Sequence, residues 1–239
     1  GGIAGRTDGS VNGCLNEGNI TVEVSENGGV SGGGITGDCN GKNIRITGCI
    51  NRGKLSGNST SYKTEGISLA GIVGTNFSGS TINNCLNEGE VNVRFSSSQT
   101  VYSPFSAAGI TTSNYGLVIN SGNTGRIAVQ SDMKATVGGI SSHNSGSIVN
   151  SYNIGAIACN GRKGQTFYNN GGGITGVFQY STIGITPLIY GCYNSGTVSS
   201  TGSEEQIGSI AGDASYLIDK YNVPTRIRNT YYSAETGKP

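Results

Sequence analysis

Ile82-Asn83-Asn84-Cys85-Leu86-Asn87-Glu88-Gly89-Glu90-Val91 is the stretch whose reading decides the fold. It opens on a β-branched residue and places a small residue three positions later. An Asn follows two further on, then a Gly two beyond that, and an aliphatic residue closes the block. The same frame recurs along the chain. It opens on Val11, Ile46, Ile82, Val118, Ile148, Ile189 and Ile227, and its small residue is Cys14, Cys49, Cys85, Ser121, Ser151, Cys192 and Thr230. Six blocks continue with Asn16, Asn51, Asn87, Asn123, Asn153 and Asn194, with a Gly two residues after each, and close on Ile20, Leu55, Val91, Ile127, Ile157 and Val198. A short Gly-rich segment precedes each block and centres on Ile3, Ile35, Ile72, Ile110, Ile140, Ile174 or Ile210. Spacing inside the block is invariant, whereas successive isoleucines lie 30 to 38 residues apart. Constant blocks with elastic joints are what stacked structural repeats produce.

Each repeat carries three extended segments: the Gly-Ile segment, the run from the β-branched to the small residue, and a third starting at the closing aliphatic. The third alternates, as in Ile20-Val22-Val24 and Val91-Val93-Phe95, which puts those side chains on one face of a strand. No single repeat can bury that face alone. Stacking repeats about 4.8 Å apart turns equivalent residues into continuous aliphatic ladders. The reading is therefore an all-β, right-handed parallel β-helix (β-solenoid) of six to seven coils with three short strands per coil, the hand following the rule for parallel crossovers. Asn-x-Gly suits a sharp corner, because both residues tolerate left-handed backbone, and the Asn can hydrogen-bond its counterpart in the next coil.

Composition agrees. Glycine supplies 42 of 239 residues, and Gly, Ser, Thr and Asn make up about half the chain. These are poor helix formers. Charged residues are 12%, too few for an ordinary disordered segment, and glycine has no three-residue period, so collagen is excluded. A net charge of +1 gives no footprint for nucleic acid or an anionic membrane, and no apolar run approaches a membrane span. The opening Gly1-Gly2-Ile3 is itself part of a repeat, so the chain reads as a piece of something longer.

Residue chemistry points away from catalysis. Four of six cysteines share the small-residue position with serines, which indicates packing; Cys39 and Cys159 lie outside it, and no zinc spacing is present. Parallel in-register neighbours are poorly aimed for a disulfide. Glu17, Arg52 and Glu88 alternate in sign from coil to coil, as do Lys54, Glu90 and Arg126, and both sets read as ion-pair ladders that set register. Glu204-Glu205 reads as a solvated turn. After the Gly-Ile segment the two acids Asp38 and Asp213 fall five coils apart, about 24 Å, too far for a glycosidase pair. His143, the only histidine, reads as a turn residue. No cofactor, metal site or catalytic residue is expected.

Binding is expected in the joints after the third strand, at 56–65, 96–106 and 159–171, which carry Tyr62, Tyr102, Phe105, Phe167 and Tyr168. Loops on a rigid scaffold are where function concentrates. The alternative is that these rings fold back over the helix. After Ile210 the pattern decays, so residues 1–212 read as the repeat array and 213–239 as a last degenerate repeat and cap. Tyr216 to Ile218 and Tyr231-Tyr232 are expected to pack over the last coil.

Ala70-Gly71-Ile72-Val73-Gly74-Thr75-Asn76 with Ile82 to Val91, and Gly138-Gly139-Ile140 through Tyr152-Asn153, resemble the GLUG-type repeats of bacterial surface proteins, which occur in adhesins and IgA-peptidase-like proteins. The resemblance implies an extracellular, cell-surface or secreted position and supplies no catalytic residue. Taken together, the expectation is a monomeric, non-enzymatic surface module that binds a host or cell-surface protein or glycan. Its alternatives are a passive stalk and a polysaccharide-active β-helix enzyme.

Overall fold

The computed structural model describes residues 1–25, 28–41, 43–61, 64–97, 105–161, 169–179, 187–202, 205–214 and 226–233, and among these the chain has no helix. A coil runs through five short strands, which in the third coil are Thr64–Ala70, Val73–Asn76, Thr81–Asn83, Leu86–Asn87 and Val91–Phe95. Equivalent strands of successive coils pair in parallel and form five sheets, numbered one to five in that order. Sheets two, three and four have seven strands each, and sheets one and five have six. The chain is thus a parallel β-solenoid. Its three extended segments per coil are all present, and two of them bend midway. The first bends at the Gly-Ile pair, between sheets one and two. The second bends just before the small residue, between sheets three and four.

That second bend has one cause in every coil. Gly13, Gly48, Asn84, Asn120, Asn150, Gly191 and Asn229 all adopt left-handed backbone, with φ between 46° and 64°. Only Gly, and Asn through its short polar side chain, visits this region cheaply. The Gly of Asn-x-Gly plays a different part from the one expected. Gly18, Gly53, Gly89, Gly125, Gly155 and Gly196 are not left-handed. A Cβ on Gly53, Gly89, Gly125, Gly155 or Gly196 would land on the carbonyl oxygen of the equivalent glycine in the preceding coil. Close stacking of backbone, and not a positive φ, requires glycine there.

Register follows the ladders. Val11, Ile46, Ile82, Val118, Ile148, Ile189 and Ile227 pair in sequence through sheet three. Ile20, Leu55, Val91, Ile127, Ile157 and Val198 do the same in sheet five. The Gly-Ile isoleucines form a third ladder at the bend itself. Ile35, Ile72, Ile110, Ile140 and Ile174 are fully buried, whereas Ile3 in the first coil is half exposed.

These ladders line two separate apolar columns. One is built on the Gly-Ile isoleucines, the sheet-three ladder and Cys49, Cys85 and Cys192. The other joins sheets five and one through Leu55, Val91, Ile127, Ile157, Ile67, Leu69 and the Phe95–Phe105 pair. Between them runs a polar partition. The side-chain Nδ2 of Asn16 donates to Asn51 Oδ1 at 2.7 Å, and the relay continues through Asn87, Asn123 and Asn153 to Asn194 at 2.7–2.8 Å. Each Nδ2 also donates to the carbonyl of the Gly two residues on. The amides reach across to the Gly-Ile bend, where a Cβ on Gly34, Gly71, Gly109, Gly139 or Gly173 would strike them. Asn51, Asn87, Asn123 and Asn153 each have both donors and the acceptor used, which is the condition for burying polar groups without penalty.

A second amide relay, unforeseen in the sequence, runs through sheet two from Asn76 to Asn114 to Asn144 at 2.8 and 2.7 Å. Cys39 and Phe178 occupy the flanking positions in register. There the relay stops, leaving Asn76 Oδ1 and Asn144 Nδ2 buried without a partner.

On the outside the charge ladders are as expected. Arg52 bridges Glu17 at 3.4 Å and Glu88 at 2.6 Å, and Glu90 bridges Lys54 at 2.9 Å and Arg126 at 3.3 Å. The last repeat continues the array. Ile227–Arg228 and Tyr231–Tyr232 are the seventh strands of sheets three and four, paired with Ile189, Tyr190, Tyr193 and Asn194. The two tyrosines therefore extend the array and do not fold over it, because the left-handed Asn229 keeps the decayed repeat in register. Tyr216 to Ile218 lie outside the described residues.

Candidate functional site

Of the five aromatics expected at the joints, Phe105 is described, and its place is a correction. It opens the sheet-one strand Phe105–Ala108, is fully buried, and stacks on Phe95 with ring centroids 4.2 Å apart. Sheet one begins earlier in the joint than the polar sequence suggests, and the ring fills the column between sheets one and five. Tyr62, Tyr102, Phe167 and Tyr168 lie outside the described residues.

Among the described residues, a row of exposed aromatics stands on sheet four. Sheet four presents one residue per coil outward, the one between the small residue and the Asn: Leu15, Ile50, Leu86, Gly122, Tyr152, Tyr193 and Tyr231. The row carries no charge. Its last three members are tyrosines 37%, 43% and 65% exposed, stacked one strand spacing apart. The Tyr152 ring reclines over Gly122, where a Cβ would collide with it. On the adjoining sheet three Tyr190 is also exposed, its hydroxyl accepting from Asn229 Nδ2 at 3.0 Å, and Ile154 is half exposed at the neighbouring corner. The result is a run of exposed phenol rings on the last three coils, with Arg228 in register beside Tyr190 on sheet three. Its signal is visible in the repeat frame, at a position that sequence reasoning passes over because leucine, isoleucine and glycine fill it in the earlier coils.

The residues with catalytic chemistry remain dispersed. Asp38 and Asp213 occupy equivalent positions on sheet two, five strands apart. His143 lies in a strand of that sheet, Ser141–Asn144, and not in a turn, with Ser113 and Val177 as its register neighbours. Burial, then the Lys134 charge, lowers its pKa to about 4. Among the described residues no group of three His, Cys, Asp or Glu side chains is placed to hold a metal ion.

Cys14, Cys39, Cys49, Cys85 and Cys192 are free thiols. The small-residue position asks for more than small size. Cys49, Cys85 and Cys192 Sγ each donate to the carbonyl two residues back at 3.5, 3.4 and 3.5 Å, and Ser121, Ser151 and Thr230 hydroxyls make the same bond at 2.9, 2.9 and 3.0 Å. Cys, Ser and Thr interchange because each supplies a donor on a short side chain. Burial raises the thiol pKa of Cys192 to about 11 and of Cys39 to about 12, and the hydrogen bond with Cys49, then burial, raises that of Cys85, so these three sulfurs are protonated structural groups and not nucleophiles.

Compared with protein-family models, curated proteins and solved structures, the chain matches none.

Proposed function

We propose that this chain is a non-enzymatic recognition module of an extracellular, cell-surface or secreted protein, adhesin-like in the manner of the GLUG-type repeats it resembles, and that its tyrosine face contacts a host or cell-surface glycan or protein. The single observation carrying this reading is the uncharged row Tyr152, Tyr193 and Tyr231 with Tyr190 beside it. Tyrosines supply large, rigid, amphipathic contact area at low entropic cost, and exposed apolar patches on rigid scaffolds mark interaction sites. The rings do nothing for the core, since both columns are filled from inside. Of the joint aromatics Phe105 is buried and drops out of this reading, which rests on the rings of sheet four.

The test is binding of the purified chain to glycan and host-protein arrays, beside the double variant Tyr152→Ser, Tyr193→Ser. These side chains are exposed, so thermal stability should hold while array binding is lost. Binding that survives the double substitution, or no binding by either protein, would leave the passive stalk as the better reading.

A further inference from the structure

Sheet five carries an outward row that breaks the rule followed by the charged corners. There Arg52 sits between two glutamates, and Glu90 between a lysine and an arginine. In sheet five the in-register row is Glu23, Asn58, Arg94 and Gln130. Arg94 thus stands between two uncharged amides, and among the described residues its guanidinium has no ion-pair partner. Asn58 Nδ2 donates to Glu23 Oε1 at 2.7 Å, and Glu23 stands two strand spacings from Arg94, about 10 Å between their backbones. These four side chains border a depression of about 340 Å³ that also touches Val24 and Phe95 and lies at the edge where the joints leave the stack. That volume falls within the roughly 300–1,000 Å³ of small-ligand sites.

We propose that this depression binds a short carboxylate-bearing oligosaccharide, with Arg94 taking the carboxylate. The site is separate from the tyrosine face and independent of it. An unpaired guanidinium presents a planar fork that matches a carboxylate with two parallel hydrogen bonds. Flanking amides neither repel an anion nor compete for the fork. Glu23, tied to Asn58, is an acceptor for sugar hydroxyls. Asn58 and Gln130 both donate and accept, as hydroxyl recognition needs. A peptide strand is the poorer occupant, because the backbone of sheet five is already paired from coil to coil and only side chains are on offer.

Isothermal titration of the purified chain with trigalacturonate, 3′-sialyllactose and neutral galactotriose tests this, and also separates a uronic from a sialic acid as the preferred source of the carboxylate. We expect at least one acidic trisaccharide to bind about tenfold more tightly than galactotriose, the order expected for one charge-assisted pair. Arg94→Gln should abolish that preference, Arg94→Lys should keep part of it, and the double tyrosine variant should leave it unchanged. Arg94 is exposed, so an unaltered melting curve will show that its variants fold. The proposal is overturned if neither acid binds, if galactotriose binds equally well, or if the preference survives Arg94→Gln. Loss of acid binding in the tyrosine variant would also overturn it, by moving the ligand to the other face.

Discussion

A single left-handed residue per coil turns the chain between sheets three and four. At Gly48 a Cβ would meet nothing within 4 Å, so the demand there is conformational and not steric. We expect Gly48→Ala to destabilise by about 1–2 kcal/mol in urea unfolding, the cost of forcing an L-residue into that region. Gly48→Asn should be nearly neutral, because Asn84 performs the same turn one coil later with φ 53°. Gly89 is the opposite case. Its φ is ordinary, yet a Cβ would collide with the Gly53 carbonyl, so Gly89→Ala should rank among the most damaging substitutions, on the order of 4 kcal/mol or more. Equal losses at both sites would show that the two glycines are not distinguished in this way. At this scale the sequence is only partly legible. The need for glycine in Asn-x-Gly is plain from the repeat, but its reason is not, since backbone approach between coils depends on a partner about 36 residues away. The left-handed position is filled by Gly or Asn in all seven repeats, yet the unbroken spacing around it hides the bend.

Strands two or three residues long are stabilised by their ladders more than by their own propensity. Asn123 is the centre of the inner partition. It donates to Gly125 O and Asn153 Oδ1 and accepts from Asn87. Asn123→Ala should cost about 3 kcal/mol, because it removes these bonds and strands buried partners. Asn76→Ala, at the end of the shorter relay with Oδ1 already unpaired, should cost about half as much. A smaller loss at Asn123 than at Asn76 would contradict the relay as a source of stability. Sheet two also gives the fold a pH response. The folded state lowers the His143 pKa from 6.5 to about 4 through burial and Lys134, so folding favours the neutral ring. That contribution is complete above the unfolded value and is lost as pH falls from about 6.5 towards 4. Thermal melts across that window should fall for the native chain and fall less for His143→Gln; parallel curves would remove His143 as the cause. The inner Asn relay is legible in the sequence, because six Asn residues keep one place in the frame. The shorter relay is not, because it spans three coils and its flanking positions are Cys39 and Phe178. The joint at 96–106 misleads for a related reason. Ser, Tyr and Pro read as a surface loop, and nothing local reveals that Phe105 already belongs to sheet one and stacks on Phe95.

Across the molecule, aliphatic ladders bury two columns, an amide relay divides them, and alternating charges at the corners oppose slippage by a coil. The corner pairs are exposed and contribute little each; we expect Arg52→Ala to leave the melting temperature nearly unchanged and its small effect to shrink further in high salt. The tyrosine face and the Arg94 depression are both outward rows of this one lattice, so their proposed roles depend on a single register running from the first coil to the last. Electron–electron resonance between nitroxide labels tests that register most directly. Thr21 and Ser199 are exposed, occupy equivalent positions in sheet five, and are linked through Ser56, Asn92, Ala128 and Ala158 by five successive strand pairings. With Cys14, the one partly accessible thiol, replaced by Ser, labels at Thr21→Cys and Ser199→Cys should lie about 24 Å apart, and labels at the exposed pair Glu23→Cys and Gln130→Cys, three strand pairings apart, about 14 Å. Distances that do not grow by one strand spacing per coil would contradict the parallel in-register solenoid, and with it both binding faces.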